Sequence, residues 1–274
     1  MKRNRVNLFY LKLIILIFFG HSVAYAQSGE LEIITFGDSI TAGLIETDGP
    51  DVECADGVDT GPSLSGSGNL RCFGNGDEGV GGYQPSLKDS LEDLGFDVSI
   101  YNFGFSGATT EFMLSELDDT LSDEPSSEYV LLMGGANDVF DEGISASTVQ
   151  FNIQVMVNLI CLEDISPVVT TVTRNLISGT FADRVDDFND EIEDIDDDFC
   201  ASRNIDVIFA DQHSALSSSS NFGFDGLHLS SRGNENMAEE WFRVLSEELV
   251  VPPVIPESPN LGFLPAILSV LLND

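Results

Sequence analysis

The segments VSIYNF (Val98–Phe103), TTEFMLSELDDTL (Thr109–Leu121) and YVLLM (Tyr129–Met133) decide the fold. The first and last are short apolar runs of strand type, and the middle one repeats its apolar residues at helical spacing. A strand, a helix and a strand in immediate succession make a βαβ unit, which requires parallel pairing.

The same alternation extends in both directions. LEIITF (Leu31–Phe36) reads as a strand that stops at Gly37, and a helix pattern runs from Tyr83 to Leu94. Downstream, strands are expected at Val168–Val172 and Ile205–Phe209, with helices over Ser147–Glu163, Phe181–Arg203 and Arg232–Leu249. These elements predict an α/β domain with a five-stranded parallel sheet covered on both faces. Such sheets carry their functional groups at the carboxyl ends of the strands, near the point where strand order reverses.

Residues 44–81 break all periodicity with Gly, Asp and Ser and read as an inserted acidic loop. Its acids Asp48, Asp51, Glu53, Asp56 and Asp59 match no EF-hand spacing, so a solvated loop is expected rather than a calcium site.

The chain starts with Lys2, Arg3 and Arg5, an apolar stretch and Ala24-Tyr25-Ala26, the pattern of a signal peptide cleaved after Ala26. The domain is therefore expected over residues 27–250, secreted or periplasmic. Residues 251–274 hold a Pro-rich spacer, VPPVIPESP, and an apolar end interrupted by Pro265. That end is too short to span a bilayer and reads as a segment packed on the domain, with surface attachment as the alternative.

Loss of residues 1–26 removes four basic residues and no acid, leaving seven basic against 47 acidic, a net charge of −40. Self-repulsion on this scale favours saline conditions, where it is screened. It makes nucleic acid an improbable partner and disfavours anionic polysaccharides.

The four cysteines, Cys54, Cys72, Cys161 and Cys200, are an even number in an exported chain, which points to disulfides. Of the three connectivities, Cys54–Cys72 is favoured because it closes the Gly-rich loop, leaving Cys161–Cys200 to join two predicted helices. No paired Cys/His spacing calls for a metal, and no motif calls for a cofactor.

Four short motifs carry chemistry. Gly37-Asp38-Ser39-Ile40 follows the first strand and sets a hydroxyl at the sheet edge, near an expected helix N-terminus. Asp225-Gly226-Leu227-His228 precedes the last helix. Of the two histidines left after cleavage, His213 and His228, only His228 has a carboxylate three residues upstream. In a turn, that spacing lets Asp225 accept the Nδ1 proton and leaves Nε2 to take a proton from serine. Asn137, in Gly135-Ala136-Asn137-Asp138, offers an amide donor beyond the third strand, and Gly107 offers a bare backbone N–H beyond the second.

FGDSITAG, Gly107, GGAND and DGLH, in this order, resemble the four blocks of the SGNH/GDSL hydrolase superfamily across about Leu31–Leu249. The resemblance implies a flavodoxin-like three-layer α/β/α sandwich, Ser39 as nucleophile, His228 as base and Asp225 as its orienter. It also implies an oxyanion hole made by the Ser39 N–H, the Gly107 N–H and the Asn137 side chain. No G-x-S-x-G elbow occurs, which argues against an ordinary α/β-hydrolase.

The expected activity is hydrolysis of short-chain or lipid esters, or of O-acetyl groups on carbohydrate, through an acyl-serine. A non-catalytic surface or carbohydrate-binding module on the same fold is the rival reading. The motifs specify neither acyl length nor oligomeric state.

Overall fold

The computed structural model describes residues 29–46, 52–54, 59–61, 71–74, 76–174, 176–177 and 179–249. The expected signal peptide and the C-terminal spacer and tail lie outside the described residues.

Five strands form the parallel sheet: β1 (Glu30–Gly37), β7 (Asp97–Gly104), β8 (Tyr129–Met133), β9 (Ser166–Thr170) and β10 (Ile208–Ala210). Their spatial order is β10-β9-β8-β1-β7, the flavodoxin-like arrangement. The chain passes from β1 to β7 on one side and returns to β8 on the other, so strand order reverses between β1 and β8.

Both faces of β1 are buried, which explains its nearly continuous apolar run. Successive side chains point to opposite layers: Ile33 joins the core beneath α1 (Gln84–Glu92) and α7 (Ser231–Leu249), built around Leu87, Leu91 and Trp241. Ile34 and Phe36 join the other core, beneath α2 (Thr110–Asp123), α3 (Ala146–Leu162) and α4 (Gly179–Glu193). Thr109 and Ser145 cap α2 and α3 by accepting from Phe112 N and Thr148 N. Two short helices complete the set, α5 (Asp198–Ser202) and α6 (Gln212–Ala215).

The expected helix Phe181–Arg203 is two helices, α4 and α5, separated by an acidic break. Aspartate is a poor interior helix residue, and Asp194, Asp196, Asp197 and Asp198 repel one another. The break is fixed from outside: Gln154 on α3 donates to Asp196 O at 2.8 Å and accepts from Asp196 N at 2.7 Å. Asp196, Asp197 and Asp198 also group their carboxylates, all exposed.

The insertion is more ordered than its composition suggests. β2 (Leu44–Glu46) pairs antiparallel with β3 (Val52–Cys54), and β4 (Asp59–Gly61) with β5 (Arg71–Phe73). β6 (Asp77–Glu78) adds a sixth, antiparallel strand beside β7. Strands of two or three residues are too short to leave an alternation in sequence. The five acids expected in a solvated loop rather than a calcium site lie outside the described residues or have undescribed side chains.

Both favoured disulfides form. Cys54–Cys72 ties β3 to β5, and Cys161–Cys200 ties α3 to α5. No helix among the described residues is long and apolar enough to cross a membrane.

Candidate active site

The carboxyl end of β1 leads into Asp38 and Ser39. Residues 38–43 form consecutive turns rather than the expected helix, with Ala42 N donating to Asp38 O and Leu44 N to Ser39 O, both at 2.9 Å. This turn presses against the end of β7: a Cβ on Gly104 would lie 2.0 Å from Ala42 N, so only glycine fits there. Asp38 is completely buried, and its Oδ1 accepts from Ile40 N at 3.0 Å, fixing the turn that presents Ser39. Its Oδ2 has no hydrogen-bond partner among the described residues. Burial pushes the Asp38 carboxyl up to about 6, against the opposing pull of the Ile40 N–H and of His228.

Ser39 Oγ lies 3.0 Å from His228 Nε2, and His228 Nδ1 lies 2.5 Å from Asp225 Oδ2. The DGLH turn explains why one aspartate suffices to hold the ring. Its second oxygen accepts from Leu227 N at 2.8 Å and His228 N at 2.9 Å, so side chain and turn are one unit. Burial raises the Asp225 carboxyl, but hydrogen bonds from His228 and from the Leu227 and His228 backbone outweigh it and hold the group well below the usual carboxylate range. Gly223 N donates to His228 O at 2.9 Å, closing the loop ahead of α7.

Across the switch point, the loops after β7 and β8 are joined. Gly107 takes a left-handed conformation (φ +80°) and is exposed. Asn137 Nδ2 donates to Ala108 O at 2.9 Å, which places the amide beside the Gly107 loop and leaves its second hydrogen for another acceptor. Asp138 braces the same junction, accepting from Thr110 N at 2.9 Å and Thr110 Oγ1 at 2.8 Å. Burial raises the Asp138 carboxyl and the Thr110 bonds counter that rise.

The insertion reaches this loop as well. Cys72 N donates to Ser106 Oγ at 3.0 Å and Ser106 N to Cys72 O at 3.2 Å. One disulfide therefore sits one residue from Gly107.

All residues expected at the site thus occur at one edge of the sheet. Sequence reasoning missed Asp38 as a buried carboxylate, Asp138 as a brace, and Arg184, whose guanidinium donates to the carbonyls of Asp138, Asp141 and Ile144. His213, set aside because it has no carboxylate three residues upstream, lies 3.6 Å from Asp186 Oδ1 on α4. Exposed apolar side chains flank the Asp225–His228 turn, with Phe224 84% exposed and Leu176 45%.

A doubly wound sheet with a serine, a histidine and an aspartate in contact at its switch point defines a class, the hydrolases that attack carboxylic esters without an α/β-hydrolase elbow. The chain belongs to the GDSL-like lipase/acylhydrolase family, whose model matches residues 35–235. Among solved structures, it is similar to a lipase/acylhydrolase from Enterococcus faecalis (22% identity, TM-score 0.57, covering 80% of this chain and 96% of that one). It is also similar to a carbohydrate acetylesterase from Sinorhizobium meliloti (16%, TM-score 0.59, 80% and 100%). A third is a psychrotrophic esterase from Pseudoalteromonas sp. (16%, TM-score 0.54, 80% and 99%). At these identities the likeness is one of fold. A search of curated proteins found no match.

Proposed function

We propose that this chain is an exported serine carboxylic-ester hydrolase that acts through an acyl-Ser39 intermediate on short-chain or lipid esters or on O-acetylated carbohydrate. The observation that supports this reading is the contact chain Ser39 Oγ to His228 Nε2 to Asp225, at 3.0 and 2.5 Å. In it His228 Nε2 takes the serine proton as Oγ attacks the ester carbonyl, while Asp225 holds the imidazolium that results. The tetrahedral oxyanion is met by the Ser39 and Gly107 N–H groups and the Asn137 amide. Collapse breaks the bond to the alkoxy oxygen, which leaves as the alcohol with the proton from His228. Water, deprotonated by the same imidazole, then releases the acid and restores Ser39.

Export is supported by the N-terminal Lys/Arg, apolar and Ala-Tyr-Ala pattern and by two disulfides, which persist in oxidising compartments.

The direct test is hydrolysis of p-nitrophenyl acetate, butyrate and longer esters by the protein and by Ser39→Ala. The variant is expected to lose activity by a factor on the order of 10⁴–10⁶. Equal rates would overturn the mechanism.

A further inference from the structure

The segment that follows β9 borders the turn that carries Ser39 and then forms the wall of a second cavity. Val172 and Thr173 line a small gap together with Asp38 and Ile40. Arg174 and Leu176, immediately after them, line an open cavity of about 230 Å³ with Ala182, Val185, Asp186 and His213. Leu176 also joins this cavity to the catalytic turn: its N–H donates to Gly226 O at 2.7 Å, two residues from His228. His213 is held in place through its backbone, whose N–H donates to Thr171 Oγ1 at 2.9 Å at the end of β9.

The chemistry of the lining selects its occupant. Half of it is polar and planar: a guanidinium with five donors, a carboxylate and an imidazole. A fatty acyl chain would have to desolvate these groups without compensation. The remaining half, Leu176, Ala182 and Val185, suits the C–H faces of a ring.

Arg174 is exposed and has no carboxylate within ion-pair distance among the described residues. In a chain of net charge −36, an unpaired arginine in a cavity beside the catalytic loop offers its donors to a ligand. Asp186 in the same wall balances its charge, which disfavours a polyanion and favours a neutral ligand rich in hydroxyls.

Building on the proposed esterase mechanism, we infer that this cavity holds the alcohol moiety of the ester, and that the moiety is an uncharged sugar. Arg174 and His213 donate to sugar hydroxyls and Asp186 accepts from them.

The test compares kcat/KM on a neutral acetylated xylooligosaccharide with kcat/KM on p-nitrophenyl acetate, for the protein, Arg174→Ala and Asp186→Ala. The ratio is expected to fall about tenfold in each variant, mainly through KM on the sugar ester, as loss of a charge-assisted hydrogen bond implies. A partly unfolded preparation lowers both values and leaves the ratio intact.

A ratio within about twofold of the parent in both variants would overturn the inference. So would a change confined to acyl-length preference, or a parent preference for acetylated pectin, a polyanion, over the neutral ester. Loss of Ser39 dependence on p-nitrophenyl acetate would overturn the mechanism as well. An unchanged ratio in a Ser39-dependent enzyme would overturn the cavity assignment alone.

Discussion

Asp225 holds His228 at both ring and backbone and ties in its neighbour: Oδ2 lies 2.5 Å from Nδ1, and Oδ1 accepts both the His228 and the Leu227 backbone N–H. Asp225→Asn keeps the turn's shape but turns an acceptor into a donor opposite Nδ1, favouring the wrong tautomer. A fall in kcat on the order of 10⁴ is expected, with little change in KM. Steady-state kinetics on p-nitrophenyl acetate measure it, and a loss smaller than tenfold would remove Asp225 from the mechanism.

Asn137→Ala is expected to lower kcat by about 10²–10³, the effect typical of losing one oxyanion donor. The bond to Ala108 O is lost with it, so Asn137→Asp serves as a control that keeps the size but not the donor. Both variants should fall together in kcat, read by the same assay at constant folded fraction.

Asp38 ties pH to stability with a definite sign. Its carboxyl is raised to about 6 by burial, while in the unfolded chain it ionises near the ordinary aspartate value of about 3.9. Its contribution is therefore fully present below about pH 4 and is lost as pH rises through about 6, to a total of about 3 kcal/mol. Asp225 has the opposite sign: its depressed carboxyl adds stability above the unfolded value and loses it as the solution is acidified further. Asp38→Asn keeps the acceptor for Ile40 N and removes the titration. Urea unfolding at pH 4 and pH 7 should show the variant gaining on the parent at pH 7, since the other acids titrate alike in both. A constant difference across this range would refute the assignment.

The two disulfides should separate stability from activity. Their sequence separations of 18 and 39 residues correspond to about 3 and about 4 kcal/mol of unfolded-state entropy. Paired replacement of Cys161 and Cys200 by serine should cost more stability, measured by urea unfolding. Paired replacement of Cys54 and Cys72 should cost more turnover, because Cys72 bonds the backbone and hydroxyl of Ser106 beside Gly107.

What the sequence made legible follows from range. The parallel strands and their helices announce themselves because each buries a regular face, as Ile33 and Ile34 do on opposite sides of β1. The Asp225–His228 pair was legible because three residues of spacing suffice to form it. The break at Asp196 was not, since it depends on Gln154 from another helix. Neither was the burial of Asp38, whose surroundings include Val172 and Thr173 from the far end of another strand. His213 was passed over for the same reason: its carboxylate neighbour, Asp186, stands 27 residues upstream on α4.

The 3.0 Å contact between Ser39 and His228 joins residues 189 apart in sequence, one just past the first strand and the other just before the last helix. During synthesis the hydroxyl therefore waits for almost the whole domain before it meets a base. Contacts of such range form late, after the chain closure they require has been achieved. Under the proposed mechanism a nascent or clipped chain displays an inert serine, and ester turnover reports completion of the domain rather than the presence of its parts.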